Sequence, residues 1–143
     1  MRLLRAEDGS ASLEFIVVAV GILLPLTYIV ITVGALHRAY AAASHGVRES
    51  ARILMQADSF GAGEMAARSA ATLAFADHGI AMPPEALRIA CTGPCLTPGS
   101  QVQVDLRWDM PLPWVPEAWS GPAAWPITAS QTLVIDSFRA DPR

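Results

Sequence analysis

The chain has 143 residues, 52% of them hydrophobic, a mean hydropathy of +0.36 and a formal net charge of -3. That length suffices for one small domain, but its hydropathy is high for a soluble domain of this size and concentrates in one continuous run. The charge is modest and mixed, all ten basic residues are arginine, and no basic patch interleaved with aromatic residues stands out, which argues against a nucleic-acid partner.

A short polar leader carrying Arg2, Arg5, Glu7 and Asp8 opens the sequence. From Phe15 to Leu36 no side chain carries a charge, and roughly 20 helical residues cross about 30 Å of hydrocarbon at 1.5 Å per residue. The expectation is a transmembrane helix over 10–36. Pro25 near its middle removes one backbone donor and predicts a kink, eased locally by Gly21, Thr27 and Thr32. Arginines flank the run on both sides, at Arg2 and Arg5 before it and at Arg38, Arg48 and Arg52 after it, so basic-residue counting leaves its orientation open. A signal anchor is one reading. A cleaved secretory signal is another, since the small residues from Ala39 to Ser44 imitate a cleavage site, although the run is long for such a signal.

Glu14 places a carboxylate at the mouth of this run. One explanation is an interfacial acid favoured by the helix dipole; the other is a functional charge, because ionisable groups carried into a membrane call for a partner. The surrounding pattern is more specific than a lone acid: a leader ending "EDG" at Gly9, then Ser10, Ala11, Ser12 and Leu13, then Glu14 and Phe15, then an unbroken apolar segment. This resembles bacterial type IV prepilins, and the "LEF" triplet, the "LLPL" turn at Leu23 to Leu26 and the closing "ITASQTLVIDSFR" resemble TadE-like minor pilins, or pseudopilins, of the tight-adherence (Tad, or Flp) pilus. The likeness covers about the first 55 residues well and the remainder loosely. Glu7 and Asp8 dilute the usual basic leader, and the chain is much longer than a major Flp pilin, which points to a minor subunit.

The resemblance implies cleavage between Gly9 and Ser10 by a prepilin peptidase on the cytoplasmic side. It also implies that Glu14 and Phe15 match the family's acid and following aromatic, and that the partners are other pilins, the Tad assembly machinery and membrane lipid. The implied location is a single pass through the bacterial inner membrane, an extracytoplasmic C-terminal domain and membership of a surface pilus used for attachment. Cleavage would leave a free amine at Ser10 near Glu14, and in a helix bundle one subunit's Glu14 would neutralise a neighbour's amine.

Beyond Leu36 helical periodicity persists to about residue 58. Tyr40, Ala43, Val47, Ala51 and Leu54 mark an apolar face, opposite Arg38, His45, Glu49 and Arg52. That face suits either the chain's own C-terminal domain or a neighbouring helix. "DSFGAG" breaks the helix, and a second one is expected from Glu64 to about Asp77, capped at His78-Gly79, with Ala70, Leu73 and Ala76 facing inward beside Met65 or Ala66.

The period then changes to two. Leu87, Ile89 and Cys91 form one alternating set, Val102 to Met110 a stricter one, and Ile127 to Ile135 a third. The fold class expected is α+β: a long N-terminal helix that is first membrane-spanning and then amphipathic, a second helix, and a small antiparallel sheet of about three strands, the last elements forming a domain over 59–143. Cys91 and Cys95, the only cysteines, flank a Gly-Pro turn in "CTGPC". They read as a short-loop disulfide of an oxidising compartment or as two free thiols. Between the last two strands "PLPWVPEAWSGPAAWP" reads as an extended loop, in which Trp114, Trp119 and Trp125 cover their own domain, bind a partner or rest at the membrane interface.

No catalytic constellation, cofactor motif or metal-ligand spacing is found. His37, His45 and His78 lack nucleophile or ligand spacing, there is no Gly-x-Ser-x-Gly or phosphate loop, and Asp105 and Asp109 fall on the solvent side of their strand. The expectation is therefore a non-enzymatic minor pilin. The alternatives are an uncleaved single-pass anchor of the same secretion machinery, or a secreted binding domain.

Overall fold

The computed structural model describes residues 8–113 and 124–137, with side chains from Leu13 onward. The architecture is α+β. Helix α1 runs from Asp8 to Gln56 and α2 from Phe60 to Asp77; a 3-10 turn at Pro84–Ala86 leads into β1 (Leu87–Thr92), followed by β2 (Gln101–Pro111) and β3 (Ala124–Val134). The chain divides into two compact units, Met1–Ala35 and Leu36–Arg143.

The first unit is the apolar part of α1, with Pro25 inside the helix. In the second unit, the rest of α1, α2 and the sheet share one core. The sheet is antiparallel with order β1-β2-β3. Its register explains the alternation in sequence: Leu87 pairs with Leu106, Ile89 with Val104 and Cys91 with Val102 on one side of β2, and Ile127 pairs with Trp108 on the other. All these residues share one face, because side chains two apart along a strand point the same way. On that face Leu87, Val102, Val104, Leu106, Met110 and Ile127 are buried. The opposite face carries Arg88, Gln103, Asp105, Arg107 and Asp109, exposed or half-buried.

The helical side of the core is built from small residues. Ala39, Ala42, Ala43, Val47, Ala51 and Leu54 of α1 are buried, as are Gly63, Ala67, Ala71 and Phe75 of α2. The α1 face matches the expected stripe except at Tyr40, which stays half-exposed.

The α2 face differs from the expectation. Leu73 and Met65 are 65% and 69% exposed, Ala66 and Ala76 are exposed and Ala70 is half-buried. The buried row Gly63-Ala67-Ala71-Phe75 advances by four residues each time, and small side chains in it let α2 lie close to α1 with Phe75 filling the end of the seam. Close approach therefore selects against the larger Leu73 and Met65.

Helix α2 also starts four residues earlier than expected, after Ser59 in extended conformation. Its end forms a Schellman cap: Gly79 N–H donates to Ala76 O at 2.8 Å and Ile80 N–H to Phe75 O at 3.0 Å, with Gly79 at φ +70°. Both ends of the proline-rich stretch lie in strands and not in a loop. Pro111 closes β2, and Trp125 and Pro126 lie in β3 opposite Met110 and Asp109. A proline is tolerated there because β3 is an edge strand.

Candidate functional site

Gly9 and Ser10 lie in α1. Glu14 and Phe15 follow on its surface, both exposed, Phe15 by 74%. From Leu13 to Val33 the large apolar side chains are open to the surroundings, among them Leu13, Val17, Ile22, Leu24 and Val30. Glu14 is the only charged residue between Leu13 and Leu36. Such a surface is stable against lipid or against other apolar helices, and a helix satisfies its own backbone hydrogen bonds in hydrocarbon. This helix is long and apolar enough to cross a membrane. Pro25 sits in its interior, and the residue four before it is Gly21, with no other atom near the position of an added Cβ.

The β1–β2 connection carries the disulfide Cys91–Cys95, with Cα atoms 5.4 Å apart. Closing so short a loop stabilises the fold by about 2 kcal/mol through the unfolded chain's entropy. Directly after it Leu96 adopts φ +64°, a conformation that leucine rarely takes, and its side chain is 1% exposed. The bridge at Cys95, the Thr97 hydroxyl donating to Pro94 O at 2.8 Å and the Ser100 hydroxyl donating to Thr97 O at 2.7 Å hold the turn that aims Leu96 into the core. Gly99 and Ile135 then tie this connection to the end of the last strand, through Gly99 N–H to Ile135 O and Ile135 N–H to Ser100 O.

Several organising residues escape a pattern reading. Ser50, fully buried, donates its hydroxyl to Ala67 O at 2.9 Å and so pins α1 to α2. Arg68 binds Glu64 on its own helix at 2.9 Å and reaches Leu87 O at 3.0 Å, joining α2 to the start of β1. His45 of α1 meets His78 edge to face, 5.7 Å between ring centroids, beside an open groove of about 500 Å³ lined by Arg48, Glu49, Ile53, Ala70, Leu73 and Asp77 among others. The spacing of Ser50 within an alanine-rich stripe is a signal for its role, whereas the Arg68–Leu87 and His45–His78 contacts join parts distant in the sequence. On the exposed side of α1, Glu49 and Arg52 form an ion pair. The Arg52 hydrogen bond holds the Glu49 carboxyl below its ordinary value, and Glu49 raises the Arg52 guanidinium in turn.

Of the three tryptophans assigned to the loop, Trp114 and Trp119 lie outside the described residues. Trp125 is in β3 and donates its indole N–H to the Tyr40 hydroxyl at 3.2 Å. Among the described residues no group of three or more His, Cys, Asp or Glu is placed to hold a metal ion. Compared with models of protein families, with curated proteins and with solved structures, the chain matches none.

Proposed function

We propose that this chain is a membrane-inserted minor pilin of the TadE-like kind, a non-enzymatic subunit cut by a prepilin peptidase between Gly9 and Ser10 and taken into a tight-adherence pilus. The observation that carries the reading is α1 itself. One unbroken helix from Asp8 to Gln56 exposes apolar side chains along its first half and contributes Ala39 to Leu54 to a small α+β core with its second. A pilin-like subunit needs both halves on one helix, the first for lipid and then for neighbouring subunits, the second to carry its head. Glu14 stands at the head of the apolar half, five residues after Gly9. The family likeness of "EDG", "LEF" and "LLPL" adds the assignment to a pilus system.

The second reading is an uncleaved single-pass anchor of the same machinery, which the exposed apolar run of α1 serves equally well. Removal of the apolar run by ordinary signal cleavage near Ser44 is disfavoured, because Ala39, Ala42 and Ala43 are fully buried in the core that the released domain would have to keep.

The N-terminal sequence of the mature protein, taken from membranes of cells with and without the prepilin peptidase, tests these readings. A peptidase-dependent start at Ser10 is expected. An intact leader in both strains supports the anchor, and a start beyond Ala39 supports a secreted domain.

A further inference from the structure

The apolar run of α1 ends at Leu36, and His37 and Arg38 follow it. The head begins at once: Ala39 is fully buried in the second unit, and Tyr40 receives the Trp125 hydrogen bond. Because α1 continues through these residues, Tyr40 lies about 6 Å further along its axis than Leu36. The polar layer of a bilayer is about 5–8 Å deep on each side of the hydrocarbon. A helix whose apolar run spans the hydrocarbon therefore holds Tyr40 within the headgroup layer, and Trp125 with it.

Both side chains suit that depth. Tyr40 is 43% exposed and Trp125 48%, so each presents about half of an amphipathic ring system outward. Their polar tips are bonded to each other, which lowers the cost of seating the rings beside acyl chains. Trp and Tyr concentrate at membrane interfaces for this reason. The neighbouring Met110, opposite Trp125, is 6% exposed, whereas Trp125 keeps about half of its surface open.

We propose that Tyr40 and Trp125 form an interfacial anchor that seats the head against the lipid headgroup layer, with the hydrogen bond joining β3 to α1 at that level. The inference rests on the membrane-spanning part of the reading above and is independent of leader cleavage.

The full-length protein is reconstituted into phosphatidylethanolamine and phosphatidylglycerol vesicles in a Trp114→Phe/Trp119→Phe background, with and without Trp125→Phe. Fluorescence is quenched in turn by lipids brominated near the headgroup end of the acyl chain, by lipids brominated near its methyl end, and by aqueous iodide. The expected result is quenching by the shallow bromines that exceeds quenching by the deep ones and is lost with Trp125→Phe. Adding Trp108→Phe leaves Trp125 as the sole tryptophan and reads the same depth directly, should the Trp125 variant not fold. Trp125 emission open to iodide and untouched by either brominated lipid overturns the anchor, as does emission shielded from all three quenchers, which would place Trp125 against protein. An alkaline wash separates the two levels of failure. Protein lost from the vesicles removes the membrane reading and the anchor together, whereas protein retained with Trp125 unquenched by lipid removes the anchor alone.

Discussion

Gly46 and Gly63 both line the seam between α1 and α2, yet they differ in the space beside them. A Cβ at Gly63 would stand 2.7 Å from the Ala57 Cβ, an atom fixed to the backbone, so the start of α2 would have to move. Gly63→Ala is expected to destabilise the head by about 1–3 kcal/mol, the usual cost of overpacking. A Cβ at Gly46 would meet Phe75 Cε2 at 3.5 Å, an ordinary contact, and a helical Gly→Ala gains up to about 1 kcal/mol in propensity. Gly46→Ala should leave stability unchanged or raise it, and thermal melts of the two variants decide both expectations. The Glu49–Arg52 pair gives a pH signature at the same scale. Glu49 is held below its unfolded value, so its contribution is complete above that value and disappears as pH falls through the lowered folded one. Arg52→Ala should return the Glu49 titration toward its ordinary position by NMR, while overall stability changes little because the pair is exposed.

At the scale of elements, the orientation of α2 carries the next expectation. Phe75 is fully buried and stacks edge to face on Trp108 at 5.8 Å, whereas Leu73, two residues away, is 65% exposed. Phe75→Ala is expected to cost about 3–5 kcal/mol, and Leu73→Ala to stay within about 0.5 kcal/mol; denaturant unfolding that ranks them the other way would show that α2 turns its Leu73 face to the core. Hydrophobicity alone favours the Leu73 face. What it does not encode is distance: α2 approaches α1 so closely that alanine and glycine are the residues that fit, and Ser50 completes the approach with a hydrogen bond to Ala67 O. The strands were legible because Val102, Val104 and Leu106 alternate with Gln103 and Asp105, and a two-residue period has one structural meaning over such a length. Trp125 was harder to place because three prolines between Pro116 and Pro126 suggest a loop, while the edge position that tolerates Pro126 depends on the order of the whole sheet. The bond from Trp125 to Tyr40, 85 residues apart, had no local signature.

For the whole molecule, Glu14 decides whether the apolar helix merely holds the head at a membrane or also docks it to other subunits. A carboxylate near one end of a span opposes insertion, so Glu14→Ala should leave the chain in the membrane at least as well as the unaltered protein. If Glu14 serves only the helix dipole, the substitution costs about 0.3–1 kcal/mol of local helix stability, and assembly is largely preserved. The pairing proposed between Glu14 and the Ser10 amine of a neighbouring subunit has a larger consequence. A hydrogen bond to a charged partner contributes about 1.5–3 kcal/mol, and about 1.4 kcal/mol is a factor of ten in a binding equilibrium. Membrane-retained Glu14→Ala protein should therefore enter sheared pilus fractions at roughly a tenth of the normal level or less, with Ser10 still its first residue after cleavage. Normal incorporation of that variant, with processing intact, would leave Glu14 without a role in docking and transfer the specificity of assembly to the apolar surface from Phe15 to Val33.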